Sequence, residues 1–386
     1  MTKPIWKPRY ALVPGILNSL MQIEAARAIV ERIPLSLSAQ AKLRHRARMR
    51  STHFSTRIEG NRLTLAETEQ VIEAAQDFKG RERDVREVQH YWQALLWVEA
   101  QAARKAPLTE AFIKTLHAKV EHGARAAPTP YRDGQNVIRD SITRDIVYLP
   151  PEAKDVPALM SGLTQWVALA ERERLPVPII AGLAHYQLVT IHPYFDGNGR
   201  TARLLATFLL VRGGYDLNGY ISIEEHHARD LDRYYAALVT HPHHNYYEGR
   251  AEAEVTDWLA YYLQTLNTGF QLARDGAMHA ASATITSLTR SIQPASTDPR
   301  FRLVLGLFDR QLIITSADVA ASLGLSTRMA RVLLANWVAD GRLVVVKPSG
   351  KRGHQISLAG IGHPTLSRNV QGKSLTEMVY LSTDPA

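Results

Sequence analysis

The sequence predicts a mostly helical body that carries one small β-hairpin and is followed by a small α/β winged-helix domain. Three observations predict this fold class. Apolar residues recur at helical spacing through most of the first 290 residues. Two short β-type runs interrupt that pattern between residues 129 and 151. After a polar, proline-bearing joint at residues 291–299, a helix-turn-helix pattern precedes two strand-like runs.

Recognisable end signals delimit the helices of the body. Pro34 ends the first helix, Thr64 and Glu67 form a capping box ahead of the third, and Gly213-Gly214 stop the helix over 200–212. The second helix carries a run of basic residues. The predicted limits are 16–33, 36–49, 64–75, 81–104, 109–120, 153–172, 178–191 and 200–212.

The predicted hairpin interrupts this helical body. Asn136–Ile138 and Ile146–Leu149 are its two strands, and they flank the polar stretch 139–145. Pro150-Pro151 close it off. The C-terminal pattern is different: helices over 301–308, 315–323 and 326–340, with Ser326 as an N-cap, precede strands over 343–347 and 354–358 around a wing.

Composition limits the classes of function. The chain has 386 residues, enough for two or three domains that each bury a core. It contains no cysteine, which excludes a disulfide framework, a thiolate metal site and a cysteine nucleophile. We expect a cytoplasmic protein, because there is no secretory-type apolar segment and no run of 18 apolar residues for a membrane span. The net charge of +9 favours anionic partners, but the same charge is explained equally well if it serves solubility alone.

The most informative stretch is residues 191–205, IHPYFDGNGRTARLL. Pro193 biases His192 out of the preceding helix, which should leave its imidazole accessible. The glycines on either side of Asn198 let successive N–H groups point into one concavity at the start of the next helix, where an anion is favoured. Arg200 and Arg203 stand three residues apart and project from one side of that helix. This combination predicts a polyphosphate site.

Two further side chains in this stretch suggest the chemistry. Asp196 supplies one carboxylate, enough to hold a Mg²⁺ whose shell phosphate oxygens and water complete. His192 has the only type of side chain with an unperturbed pKa near neutrality, which suits proton removal from a hydroxyl. A phosphate site, a metal and a general base together indicate phosphoryl or nucleotidyl transfer.

The segment HPYFDGNGR resembles the HPFx(D/E)GNGR signature of Fic-domain proteins, which typically move AMP from ATP to a hydroxyl of a target protein. The resemblance extends from Thr109 to about Tyr262, and Tyr194 stands where the family prefers Phe. It implies the all-α Fic fold with a β-hairpin flap. The roles it implies are general base for His192, Mg²⁺ ligand for Asp196, phosphate contacts for Gly197, Asn198 and Gly199, and outer-phosphate contacts for Arg200 and Arg203.

The resemblance also implies nucleotide contacts outside this motif. Gln135–Tyr148 stands where the family's flap holds the target backbone and covers the nucleotide. Ile138, Arg139, Asp140 and Ser141 would then lie near ATP, with Arg139 and Asp140 replacing the glycines common at the flap tip. Tyr234 and Tyr235 resemble a pair that contacts the base. An equally good interpretation is that both tyrosines are core residues of a helix.

A second motif, Ser55-Thr56-Arg57-Ile58-Glu59-Gly60, fits the (S/T)xxxE(G/N) inhibitory signature of the same family. Glu59 on a helix, paired with Arg203, would occupy the guanidinium that the γ-phosphate needs. The alternative is a solvated helix carboxylate. The chain then resembles the class with an N-terminal inhibitory helix, here about 51–61 within a helical region 1–105. The Fic domain is expected over 106–290 and the winged-helix domain with a tail over 296–386.

Three functions remain open at this stage. The first is a self-inhibited enzyme that transfers AMP from ATP to a Ser, Thr or Tyr hydroxyl of a target protein or of itself. The second is removal of AMP, with Glu59 positioning water. The third is a transcription regulator whose Fic-like body senses ATP. Another nucleotide or a phosphocholine donor is not excluded.

The C-terminal region leaves its partner open. It carries 11 basic against 6 acidic residues from 296 onward, and winged helices bind DNA, dock proteins or form homodimers. Phosphate contacts would come from the recognition helix and the wing: Arg328, Arg331, Lys347, Lys351 and Arg352. A histidine-rich stretch, with His226, His227, His241, His243 and His244, suggests surface residues rather than a metal site, because it lacks a carboxylate at ligand spacing.

Overall fold

The computed structural model describes residues 6–124, 126–139, 143–292, 298–308, 313–350 and 353–358. Most of them are helical, and two antiparallel two-stranded sheets are present among them. The mostly helical class with a small hairpin is therefore confirmed. In chain order up to the hairpin the helices are α1 (Pro14–Val30), α2 (Leu37–Ile58), α3 (Leu65–Ala74), α4 (Glu82–Ala103) and α5 (Glu110–His122).

After strands β1 (Ile138–Arg139) and β2 (Ile146–Tyr148), the chain returns to helices. These are α6 (Val156–Arg172), α7 (Val177–Ile191), α8 (Asn198–Arg212), α9 (Ile223–Arg229), α10 (Leu231–Leu238), α11 (Thr256–Ile292), α12 (Pro299–Leu305), α13 (Ser316–Leu323) and α14 (Thr327–Ala339). Strands β3 (Leu343–Gly350) and β4 (Gly353–Leu358) follow.

The described residues fall into two compact units. One contains those within Met1–Arg27 and Arg44–Leu272, and the other those within Ala28–Leu43 and Ala273–Ala386. The first is built around α7, which is apolar on all sides and buried along almost its whole length, as expected for a helix enclosed by others. Helices α6 and α8 pack against it, and α4 packs against α5 and α8. This packing fixes the end of α7 and the start of α8, and so the loop 192–197 between them.

Helix α2 differs from its predicted limits. It continues nine residues beyond Met49, to Ile58, because the hydroxyl residues that end the apolar pattern are buried on one of its faces. Their polar groups are satisfied inside the protein. The Thr56 hydroxyl, for example, donates to the carbonyl of Thr52 at 2.9 Å. Tertiary burial thus overrides the weak helix propensity of Ser and Thr.

The hairpin forms where it was predicted. Ile138 pairs with Tyr148 and Arg139 with Ile146, with an irregularity between the two pairs. Beyond β2, Leu149 forms an isolated parallel bridge with Asn245, which attaches this end of the hairpin to the segment after α10. Asp140 and Ser141, two of the residues expected near ATP, lie outside the described residues.

The second unit has its own apolar core. Phe301, Ile314, Trp337, Leu343 and Ile356 are buried in it, and they come from α12, α14, β3, β4 and the segment before α13. Ser326 caps α14, accepting from the Met329 N–H at 3.3 Å, as predicted. A helix pair followed by a hairpin is therefore present. Lys351 and Arg352 lie outside the described residues.

Across the described parts of the chain, no helix has both the length and the apolar character that a bilayer crossing requires.

Candidate active site

The loop between α7 and α8 has a closed geometry. His192 ends α7 in the left-handed conformation (φ 51°, ψ 59°), and Gly197, also left-handed, caps the start of α8. The Asn198 side chain closes the loop, because its amide donates to the Tyr194 carbonyl at 2.8 Å and its oxygen accepts the Tyr194 N–H at 3.0 Å. Asn198 is 2% exposed. Its side chain therefore shapes the loop, while its backbone belongs to the N-terminus of α8.

The His192 ring is oriented by its own helix. Nδ1 lies 3.3 Å from the Val189 carbonyl, so Nδ1 carries the proton in this assignment and Nε2 keeps its lone pair. Burial lowers the pKa of His192 to about 4, against smaller opposing effects that include Glu59. The imidazole is consequently neutral at neutral pH, which is the form that accepts a proton.

Arg203, from the second turn of α8, meets the end of α2. Its Nη2 lies 2.7 Å from Oε1 of Glu59 and donates to the Ser55 carbonyl at 2.9 Å. Its Nε donates to the Ser55 hydroxyl at 2.8 Å. Arg203 is 1% exposed, whereas 29% of the Glu59 side chain is exposed. Glu59 lies in the turn immediately after α2 and not on the helix, which corrects the expected placement.

The Glu59 carboxylate also lies against the backbone of the glycine loop. A β-carbon built on Gly199 would collide with Oε1 of Glu59. Gly199 is in the first turn of α8, where unpaired backbone N–H groups and the helix dipole favour an anion. An anionic group of the chain itself therefore lies at the N-terminus of this helix and is paired with its arginine.

Arg200 has a different partner. Its Nη2 lies 2.8 Å from Oε1 of Glu121 on α5 and 3.5 Å from Oδ1 of Asp196, and its side chain is 2% exposed. A β-carbon on Gly197 would collide with Glu121, so this carboxylate lies under the loop. Both arginines of the motif are thus paired with glutamates from earlier helices or turns of the chain.

The fit of a Mg²⁺ rests on Asp196. Its side chain is 63% exposed, and one oxygen accepts the Gly197 N–H at 2.6 Å. No group of three or more carboxylate or imidazole ligands occurs among the described residues. A single exposed carboxylate suits an ion that takes most of its ligands from phosphate and water, the usual mode for Mg²⁺.

The hairpin and α10 place further residues around this loop, some of them exposed and one buried. Asn136, just before β1, donates to the Tyr194 carbonyl at 3.1 Å and so ties the hairpin to the loop. Arg139 donates to the Arg144 carbonyl across the hairpin. Tyr235 is 46% exposed and its hydroxyl donates to the Ile58 carbonyl, next to Glu59. Tyr234, by contrast, is 2% exposed.

Tyr234 belongs to a buried cluster, and one histidine of this cluster contradicts a sequence prediction. Its hydroxyl lies 3.0 Å from Nε2 of His185, and its ring packs against His227 at 4.5 Å. His227 is completely buried, so the prediction that it is a surface histidine is wrong. Helix α9 turns this ring toward the core, where its Nδ1 contacts the Tyr261 hydroxyl.

Besides Glu121, two supporting residues were missed by the sequence reasoning. Arg132 is 4% exposed and donates to the carbonyls of His192 and Gly134 and, with Nη2, to that of Pro151. His117 stacks on Tyr194 at 3.6 Å, and its Nε2 lies 2.9 Å from the Asp196 carbonyl. An arginine among turn residues and a histidine at a buried helix position are the only sequence signals, and neither identifies a partner.

Part of this chain is similar to proteins of a known family. The model of the Fic/DOC family matches residues 107–210. Two curated relatives, each named protein adenylyltransferase Fic, are from Drosophila willistoni (32% identical over 201 residues) and Drosophila yakuba (31% over 201 residues). Each match covers 51% of this chain, and 38% and 39% of the relative. The chain therefore spans about two fifths of the length of the curated relatives it matches.

Solved structures are similar in fold. A Fic family protein from Desulfovibrio desulfuricans G20 is 24% identical, with a TM-score of 0.56 over 92% of this chain and 99% of that one. A Fic domain containing signaling protein from Bacteroides thetaiotaomicron is 24% identical, with a TM-score of 0.57 over 69% and 97%. The family match and the likeness in fold thus agree for residues 107–210, the part of this chain that matches the Fic/DOC family.

Proposed function

We propose that this chain is a self-inhibited protein adenylyltransferase that moves AMP from ATP to a Ser, Thr or Tyr hydroxyl of a target protein or of itself. The observation that carries the proposal is the Glu59 carboxylate paired with Arg203 against Gly199. A carboxylate held by a buried guanidinium at a helix N-terminus mimics the terminal phosphate of a nucleotide. The curated relatives named protein adenylyltransferase support the same reaction.

The reaction uses the groups around the loop as follows. Nε2 of His192 accepts the proton of the target hydroxyl, whose oxygen forms a bond to the α-phosphorus of ATP while the bond to the leaving pyrophosphate breaks. The backbone N–H groups of Gly197, Asn198 and Gly199 and the guanidinium of Arg203 neutralise the phosphates. Arg200 adds to this charge. Asp196 would hold a Mg²⁺, which supplies positive charge to the phosphates when bound.

The hairpin offers the surface for the target. Ile146 and Val147 lie in β2, which pairs with β1, and they are 43% and 40% exposed. An extended target segment can add to an exposed strand edge of this hairpin through backbone hydrogen bonds. It would then present its hydroxyl to the loop that carries His192, because Asn136 ties the hairpin to that loop.

The test is self-modification of the full-length Glu59→Gly variant in ATP and Mg²⁺, followed by mass spectrometry of its peptides. We expect peptides heavier by one AMP, and none when His192→Ala is added. The proposal would be refuted if the Glu59→Gly protein binds ATP but transfers AMP neither to itself nor to a hydroxyl-bearing peptide.

Removal of AMP is the alternative at the same site, because Glu59 lies close enough to the phosphate loop to hold a water molecule. The discriminating substrate is protein already modified by the Glu59→Gly variant. If the parent chain releases AMP from it and Glu59→Gly does not, removal is the better description. If neither releases AMP, transfer stands alone.

A second candidate function concerns the C-terminal unit, which we propose is a winged helix that binds duplex DNA, so that the body would act as an ATP sensor. The observation in its favour is the exposed face of α14, where Arg328, Met329, Arg331 and Val332 are exposed and no acidic residue interrupts the helix. Arginines suit phosphates and guanine, and apolar side chains suit thymine methyl groups.

Salt-dependent binding of duplex DNA tests this second function. Arg328→Ala with Arg331→Ala should weaken binding and lower its salt dependence, whereas Arg300→Ala, an arginine paired with Asp298 on α12, should not. No binding at low salt would exclude DNA. A concentration-dependent dimer that the double variant abolishes would assign this face to a second copy of the chain instead.

A further inference from the structure

A second carboxylate lies near Arg203 and, unlike Glu59, it is fully buried. Glu224, on α9, is 1% exposed and accepts hydrogen bonds from three hydroxyl groups. Ser51 donates at 2.8 Å, Tyr91 at 3.3 Å and Ser222 at 3.3 Å. None of the cationic nitrogens in the described parts of the chain lies within salt-bridge distance of it. A buried carboxylate supported by neutral hydrogen-bond donors is costly unless a positive charge lies nearby.

Arg203 supplies that positive charge. Burial raises the pKa of Glu224, and the field of Arg203 is among the effects that oppose this rise. Arg203 in turn is 1% exposed, and its direct ionic partner, Glu59, is the more exposed member of the pair. If a phosphate is to replace Glu59, Arg203 must remain in place during the exchange. A buried carboxylate near Arg203 provides for this.

A row of polar side chains leads from one group to the other. Nε of Arg203 donates to the Ser55 hydroxyl at 2.8 Å, Ser55 lies next to Tyr91, and Tyr91 donates to Oε1 of Glu224 at 3.3 Å. Ser51, one turn before Ser55 on α2, donates to the other oxygen of Glu224. Glu224 therefore holds the part of α2 whose Ser55 contacts Arg203 with both its hydroxyl and its carbonyl.

We propose that Glu224 is a positioning residue that, through Tyr91 and Ser55, holds the Arg203 guanidinium where the terminal phosphate of ATP is bound. This inference rests on the proposed function, in which Arg203 meets that phosphate. Its specific consequence concerns nucleotide choice. ADP lacks the phosphate that Arg203 contacts, so losing the Arg203 position weakens ATP binding and leaves ADP binding nearly unchanged.

The experiment uses the full-length chain with Glu59→Gly, alone and with Glu224→Gln, and measures dissociation constants for ATP and for ADP by calorimetry. Glu224→Gln keeps the shape and removes the charge. We expect ATP affinity to fall about tenfold, in the range of one charge-assisted hydrogen bond, with ADP affinity changed less than twofold. The KM for ATP in self-labelling should rise by a similar factor, while kcat changes little.

Two further variants keep the result interpretable. Tyr91→Phe removes the hydroxyl between Ser55 and Glu224 and leaves the Glu224 side chain itself unchanged. It should lower the ATP-to-ADP affinity ratio in the same direction if Glu224→Gln does not fold. Glu225→Gln is the matched control, because Glu225 is the neighbouring glutamate on α9 and pairs with Arg50 and Arg229. Its ratio should be that of the Glu59→Gly parent.

The outcomes separate this inference from the proposed function. A folded Glu224→Gln or Tyr91→Phe protein with an unchanged ATP-to-ADP ratio would overturn the positioning role, while transfer by the Glu59→Gly parent would leave the proposed function intact. Glu59→Gly protein that does not bind ATP would overturn both. An equal loss of ATP and ADP affinity would make Glu224 a structural residue and also refute the inference.

Discussion

Replacing Glu59 by glycine should accelerate self-modification, because it removes the anion that competes with ATP for Arg203. In the structure Nη2 of Arg203 has two acceptors, Oε1 of Glu59 at 2.7 Å and the Ser55 carbonyl at 2.9 Å. Removing Glu59 frees the first and leaves the second. The guanidinium therefore stays in position, with one donor available for a phosphate oxygen.

The magnitude follows from the type of contact. A charge-assisted hydrogen bond contributes about 1.5 to 3 kcal/mol, which corresponds to roughly 10- to 150-fold in an equilibrium. Because 29% of the Glu59 side chain is exposed, solvent screening places the effect near the lower end. We expect the rate at subsaturating ATP to rise about tenfold. Arg203→Ala in the Glu59→Gly background should cancel most of this gain.

The assay is the initial rate of label incorporation from α-labelled ATP into the full-length chain. Glu99→Gln is the matched control. Glu99, on α4, pairs at 2.6 Å with Arg48 of α2, the helix that precedes Glu59, but this pair lies away from the glycine loop. An unchanged rate in Glu59→Gly would mean that Glu59 is a solvated surface residue. An equal increase in Glu99→Gln would mean that loosening α2, and not competition for Arg203, raises the rate.

His192→Ala should abolish transfer while leaving the ATP dissociation constant within about twofold, because the base contributes little to ground-state phosphate binding; residual transfer near the parent rate would refute its role. Arg132→Lys should lower the free energy of unfolding by about 3 kcal/mol, measured in urea, since it strands buried carbonyls, and a loss below about 1 kcal/mol would contradict this. Thermal stability should fall as pH drops below about 6.5, because burial lowers the pKa of His185 to about 3 in the fold while the unfolded chain still takes up the proton near pH 6.5; a flat melting temperature between pH 6.5 and 5 would contradict the assignment. A Glu59→Gly chain truncated after Ile292 should retain its labelling rate, since the motif residues precede that point, and loss of activity with the fold retained would mean that the C-terminal unit completes the site.

The sequence predicts the elements whose signals are local. Pro193 and the glycines around Asn198 determine where α7 ends and α8 begins, and both limits lie within two residues of their predicted positions. Capping residues Thr64 and Ser326 act as expected, because an N-cap hydrogen bond involves only neighbours in the chain. The contact between Glu59 and Arg203, 144 residues apart, was predicted from a family resemblance and not from spacing.

Other features depend on tertiary packing and have no local signal. Helix α2 extends to Ile58 because its hydroxyl residues are buried, whereas the hydrophobic pattern of the sequence ends where these polar residues begin. Glu121 pairs with Arg200, and Arg132 supports the His192 carbonyl, only because the fold brings distant segments together. The same holds for Glu224, which the sequence presents as the first of two adjacent glutamates. Its neighbour Glu225 forms ordinary ion pairs, so only the structure distinguishes the two.

The most direct test of the proposed reaction compares two labels in one experiment. The Glu59→Gly chain is incubated with Mg²⁺ and ATP labelled either at the α-phosphate or at the γ-phosphate, with the Glu59→Gly, His192→Ala double variant alongside. Transfer of AMP predicts protein-bound label from the α position, none from the γ position, and none in the double variant. Label from the γ position, or α-label that persists without His192, would contradict the mechanism.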